Sequence, residues 1–189
     1  MKKKGITLVE LVVSMAILVM CILLVNNIFL NSKKTLDRVD KKAYLQDVAR
    51  KVLDDIGNDI KSASTAIVPV MEPGNVINVN GDTYTVNNLS RGILYFTKED
   101  GSKYLYGEFV ESGEDTIKKI NLNDAAYCKV YSDCIKTLEV TQKSEIGNGT
   151  NSKELLSTIY SIRITVAYKG ESKAYDTATF IIKGGKEVR

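Results

Sequence analysis

Apolar side chains fill residues 6–25 almost without interruption, broken only by Thr7, Glu10, Ser14 and Cys21. A run of about twenty such residues matches the hydrocarbon thickness of a bilayer, so the pattern predicts a helix able to cross one. Beyond it the pattern becomes amphipathic. Leu45, Ala49, Val52, Ile56, Ile60 and Ala63 recur at three- and four-residue steps, and Leu36, Val39 and Ala43 extend this stripe backwards with a phase slip. The remaining face holds Lys41, Lys42, Asp47, Arg50, Lys51, Asp54, Asp55, Asp59 and Lys61, and it reads as solvated. No proline precedes Pro69, so a single helix is expected from Ile6 to a stop between Lys61 and Ile67. Its first half is apolar on all sides and has no partner within the chain, so it must bury itself in lipid or among other helices.

Residues 69–75 read as a linker, and from residue 76 the period falls to two. Asn80-Gly81 between short alternating segments is a strong hairpin signal and places Ile77 opposite Tyr84. Residues 93–109 repeat the pattern around Asp100-Gly101, with Phe96 expected opposite Leu105 and Leu94 on the same face. Residues 116–122 and 135–141 are further strands, separated by a loop that carries Cys128 and Cys134. The clearest strand is 156–168, where Leu156, Tyr160, Ile162, Ile164, Val166 and Tyr168 alternate with polar residues. A turn at Lys169-Gly170 leads back into 174–182. The fold class expected is α+β: a long N-terminal α-helix, its first half transmembrane, packed on an antiparallel β-sheet through the 45–63 stripe.

Composition narrows what such a chain does. With 189 residues and 44% hydrophobic content there is room for one compact domain and an appendage. The net charge of +3 comes from the extreme N-terminus: setting Lys2, Lys3 and Lys4 aside from the 26 basic residues leaves 23, equal to the 23 acidic. The rest of the chain therefore has no global basic bias with which to hold nucleic acid. Histidine is absent, which removes the commonest general base and zinc ligand. Ser90, Ser112 and Ser157 thus have no partner for a nucleophilic triad, and Glu111, Glu114 and Asp115 around Gly113 read as a solvated turn without calcium-loop spacing. No catalytic residue, cofactor or metal is expected, and the chain reads as non-enzymatic. Tyr95, Tyr104 and Tyr106 read as sheet packing; the alternative, a stacking platform for single strands, bears on DNA uptake.

The basic leader of residues 1–5 is denser than the charge beyond the apolar run, where Lys33 and Lys34 follow Asn26-Asn27. The positive-inside rule then places the N-terminus in the cytoplasm and the bulk of the chain outside. A secretory signal peptide would have a shorter apolar region closed by a small-residue cleavage site, which is not seen here. An extracytoplasmic location permits a disulfide across the Cys128/Cys134 spacing, and one is expected there. Two cysteines without histidine fall short of a zinc site, and Cys21 reads as a small hydrophobe. Glu10 is the anomaly, since a carboxylate at the centre of a membrane span costs at least about 2.5 kcal/mol. Either it sits at headgroup depth near the helix end or it has a partner.

The stretch Lys4-Gly5-Ile6-Thr7-Leu8-Val9-Glu10 resembles the type III signal of type IV pilins and type II secretion pseudopilins: a basic leader ending in Gly, an apolar first mature residue, Thr-Leu, and Glu at the fifth mature position. Ile6 stands where phenylalanine is common in that family. The resemblance implies cleavage after Gly5 by a prepilin peptidase, N-methylation of Ile6, and assembly with other pilin subunits through a platform protein and an assembly ATPase. It also implies that Glu10 sets axial register by meeting the Ile6 amine of a neighbouring subunit. Four residues separate Ile6 and Glu10, so the new amine is able to pair first with its own chain's carboxylate.

The order of a long helix followed by antiparallel strands, with a Tyr-rich hairpin at 93–106, is similar to minor pilins and the larger pseudopilins. On this basis residues 1–5 form a cleaved leader, 6–30 the transmembrane or filament-core half of the helix, 31–66 its amphipathic half, and 67–189 an antiparallel β globular domain. The expected location is the bacterial cytoplasmic membrane, single-pass, and then the pilus or cell surface, with nucleic acid a partner only in a competence pseudopilus. The competing class is a single-pass membrane anchor carrying an extracytoplasmic binding or enzymatic domain.

Overall fold

The computed structural model describes residues 7–124, 126–145, 157–168, 171 and 173–183. One α-helix, α1 (Leu8–Ser62), is followed by strands β1 (Ala63–Ile67), β2 (Val70–Glu72), β3 (Val76–Val79), β4 (Asp82–Thr85), β5 (Leu89–Lys98), β6 (Lys103–Glu111), β7 (Glu114–Asn121), β8 (Cys128–Val130), β9 (Ile135–Glu145), β10 (Ser157–Ala167) and β11 (Ala174–Lys183). The architecture is α+β and pilin-like, a long N-terminal helix whose segment from Leu45 onward packs against antiparallel sheets. The chain divides into two units, Met1–Tyr44 and Leu45–Arg189. In the first, Leu36 and Val39, the backward extension of the apolar stripe, are exposed.

In the second unit the strands form three antiparallel sheets, ordered β1-β5-β6-β7-β8, β11-β10-β9 and β2-β3-β4. The main core lies between the last turns of α1 and the inner faces of the first two sheets. Leu45, Ala49, Val52, Ile56 and Ile60 meet Leu94, Phe96 and Tyr106 from the five-stranded sheet and Tyr160, Ile162 and Ile164 from β10. Gly57, the one poor helix former in this segment, is buried for a packing reason. A Cβ at that position would stand 3.2 Å from Ile181 Cδ1, so its absence lets β11 lie close against the helix. The helix stops at Ser62, whose hydroxyl donates to the Asp59 carbonyl at 3.3 Å, and the chain passes directly into β1.

Three strands are not marked by the alternation: β1 and β2, which flank Pro69, and β8, which forms within the stretch expected as the loop carrying Cys128 and Cys134. β1 pairs with β5, and β2 joins the β3–β4 hairpin through the pairing of Met71 with Ile77. The Asn80-Gly81 hairpin has the expected register, with Ile77 opposite Tyr84. The Asp100-Gly101 hairpin does not: Phe96 faces Tyr104, and Leu105 faces Tyr95. The cause is loop length. Thr97 opposes Lys103 and the Lys98 amide donates to the Ser102 carbonyl, leaving a three-residue loop of Glu99, Asp100 and Gly101 with Gly101 at φ 85°. Three-residue loops place a left-handed residue last, a conformation that glycine adopts without a Cβ clash.

A single buried face was expected of this sheet, yet Ile93, Leu94, Tyr95 and Phe96 are buried in succession. Both faces are covered, because β2, β3 and β4 form a lid on the side away from the helix. A second apolar cluster fills that space, with Ile77 and Val79 packed on Tyr95, Leu105 and Phe109. Gly92 and Gly107 oppose each other across β5 and β6 under this lid. A Cβ on Gly107 would lie 2.5 Å from Leu89 Cδ1 and 2.8 Å from the Phe109 ring. Gly107→Ala should therefore destabilise this unit by about 1–3 kcal/mol through overpacking, checked by denaturant titration. An unchanged midpoint would show that Leu89 and Phe109 give way freely.

Candidate functional site

Thr7 and Glu10 form a reciprocal cap at the start of α1. The Thr7 amide and hydroxyl both donate to Glu10 Oε2, at 3.1 and 3.2 Å, and the Glu10 amide donates back to Thr7 Oγ1 at 3.4 Å. This is a capping box, in which a Ser or Thr before the helix and a Glu or Gln three residues on satisfy amides that the first turn leaves unpaired. The Thr-x-x-Glu spacing was present in the sequence as a helix-start signal. Its role in holding the Glu10 carboxylate at the helix N-terminus, next to Thr7, emerges only with the bonds. Gly5 and Ile6, the expected cleavage and methylation residues, lie outside the described residues.

From Leu8 to Leu30 the large apolar side chains are exposed all around the helix. Among the described residues this is the one helix long and apolar enough to cross a membrane. Within it the Ser14 hydroxyl is locally satisfied, donating to the Leu11 carbonyl at 2.8 Å, a bond that survives in lipid. The helix continues unbroken through Asn26-Asn27, and Thr35 Oγ1 donates to the Asn31 carbonyl at 2.9 Å. Glu10 is thus the one charged side chain between Leu8 and Leu30.

Cys128 and Cys134, the pair expected to form a disulfide, stand as separate cysteines in the structure. Cys128 is exposed on the short edge strand β8, paired with Ile120, whereas Cys134 is buried in the main core. Local hydrogen bonds hold Cys134 in place: its amide meets Ser132 Oγ at 3.3 Å and its carbonyl accepts from Ala167 N at 2.9 Å. Cys21 is exposed on the apolar helix. Among the described residues no group of three or more His, Cys, Asp or Glu side chains is placed to hold a metal.

A second polar constellation was hidden in the charged helix face. Asp55 and Asp59, expected in solvent, turn toward the sheet. Asp59 is buried, accepting from Tyr106 Oη and Lys119 Nζ, each at 2.5 Å, on Oδ2, with Lys98 Nζ 3.9 Å from Oδ1. Asp55 accepts from Lys129, and the Tyr131 hydroxyl lies between Asp55 at 3.4 Å and the Tyr106 hydroxyl at 3.3 Å, with one proton to share between them. Burial, joined by the neighbouring Tyr131 and Asp59, pushes the Tyr106 phenol far above its ordinary range. Burial does the same to Tyr131, so both remain donors. A signal existed for Asp59, which lies three residues after Ile56 and seven after Val52, in phase with the buried stripe.

The fold and this helix terminus together define a class: an α+β chain led by a membrane-capable helix with a capped carboxylate at its start. Residues 1–26 match the model of the prokaryotic N-terminal methylation motif, so the chain carries the signature of type IV pilins and pseudopilins. No curated protein and no solved structure matches it.

Proposed function

We propose that this chain is a structural subunit, of the minor class, of a type IV pilus or related pseudopilus. In this reading a prepilin peptidase cuts after Gly5, Ile6 is N-methylated, and the mature chain is drawn from the membrane into a filament by a platform protein and an assembly ATPase. The N-terminus starts in the cytoplasm and the β-rich unit outside, as the leader lysines favour. The observation that carries the proposal is the coincidence of the methylation motif with a helix whose apolar side chains are exposed on every side and interrupted by one carboxylate. Such a surface demands lipid or other helices as its neighbours. The size of the β-rich unit and its Tyr-rich hairpin support the minor class.

Mass analysis of the mature N-terminus tests the reading. The expected result is N-methylated Ile6 as the first residue of chain recovered from cells that carry a prepilin peptidase. An intact Met1 under those conditions overturns it.

A further inference from the structure

The Asp59–Lys119 contact joins residues 60 apart in sequence and is more enclosed than a surface ion pair. The two side chains are 12% and 11% exposed. Lys119 stands opposite Tyr106 in the β6–β7 ladder, and its ammonium lies 5.2, 4.9 and 5.7 Å from the ring centres of Phe96, Tyr104 and Tyr106. Asp59 descends from the last turn of α1 onto this pair. Its Oδ2 receives both Lys119 Nζ and Tyr106 Oη, while Lys98 approaches Oδ1. The arrangement contains a nucleophilic nitrogen, a carboxyl carbon one bond beyond the atom that nitrogen touches, a proton donor on one oxygen and a cation beside the other.

We propose that Lys119 Nζ and Asp59 Cγ condense into an intramolecular isopeptide bond that ties α1 to β7. The ammonium passes a proton to Oδ2 along their contact, and the freed nitrogen pair attacks Cγ. The Nζ–Cγ bond forms and the Cγ–Oδ2 bond breaks, with Oδ2 leaving as water that carries two protons from the original ammonium. Tyr106 delivers one of these through its existing hydrogen bond and is reprotonated from nitrogen. Lys98 faces Oδ1, the oxygen that bears negative charge in the tetrahedral intermediate. Charge balances, because one cation and one anion become a neutral amide and water, and no oxidant, reductant or cofactor is consumed.

Two physical effects favour the step. Holding the groups in contact supplies an effective concentration of up to about 10⁵–10⁸ M for well-oriented pairs. The buried ion pair also carries a desolvation penalty that a neutral amide does not. The inference is independent of the assignment made from the N-terminus.

Tryptic mapping of the full chain, purified in detergent, tests it. The expected product is a branched peptide, lighter by one water, joining residues 52–61 to residues 119–129, with cleavage after Lys119 lost. Linear peptides with Lys119 cleaved normally overturn the proposal, as does a water loss confined to the Asp59 peptide, which is cyclisation onto its own backbone. Lys119→Arg should abolish the branch. Tyr106→Phe, which keeps the ring packed on Phe96, should slow its appearance at least ten-fold after refolding; an unchanged rate would remove Tyr106 from the mechanism as drawn.

Discussion

Phe96→Ala is expected to lower the unfolding free energy of the β-rich unit by about 3–5 kcal/mol, the usual cost of emptying a large aromatic site in a core. Phe96 is fully buried at the centre of an aromatic row, with ring centres 5.2 Å from Tyr104 and 5.8 Å from Tyr106, and Tyr131 continues the row 5.9 Å beyond Tyr106. The backbone on both sides is fixed by pairing with β1 and β6, so the site has little freedom to collapse into the vacated space. Removing the ring also strips one wall from the box around Lys119. At roughly 2–4 °C per kcal/mol for a unit of this size, the melting midpoint should fall by about 10 °C, read by near-ultraviolet tyrosine circular dichroism. Phe180 supplies the contrast. It is 71% exposed on β11, and its replacement by alanine should move the midpoint by no more than about 0.5 kcal/mol allows. Equal losses at the two positions would contradict the burial assigned to each.

The contrast between these phenylalanines bears on what periodicity reveals. The helix stripe was legible because Leu45, Ala49, Val52, Ile56 and Ile60 all face one continuous core, and the 3.6-residue period encodes one face without further information. Alternation worked for β10, where Tyr160, Ile162, Ile164 and Val166 are buried. It failed at Ile93-Leu94-Tyr95-Phe96, because the lid that buries Tyr95 comes from three short strands elsewhere in the chain. The one-residue slip at Asp100-Gly101 has a local cause, since Gly101 serves a three-residue loop as well as it would a two-residue one. Charge was the least legible feature. Asp59 looks like its neighbours Asp54 and Asp55 in composition, and only helical phase, combined with Lys119 and Tyr106 from distant strands, marks it as buried. At the N-terminus the spacing of Thr7 and Glu10 carried two messages, a membrane-embedded charge and a capping box, and the second needed the hydrogen bonds to be recognised.

That double role sharpens the test of Glu10. If Glu10 sets register as the family resemblance implies, Glu10→Ala should leave membrane insertion and cleavage after Gly5 intact, because deleting a carboxylate from the span only lowers the cost of burial. Incorporation into filaments should fall at least a hundred-fold, since stranding the neighbour's Ile6 amine without a counter-charge in a desolvated contact costs about 3–5 kcal/mol. Alanine also removes the cap, a loss of about 1 kcal/mol confined to the first turn, so it cannot separate pairing from helix fraying. Glu10→Gln does. Glutamine satisfies the same Thr-x-x-Glu/Gln geometry, accepting from the Thr7 amide as Oε2 does now, but it carries no charge. If charge pairing sets register, Gln should be nearly as defective as Ala, with filament-associated subunit compared by immunoblot at equal membrane levels. Recovery of normal assembly with Gln would show that the cap, and with it the ordering of the first helical turn, is what the filament requires.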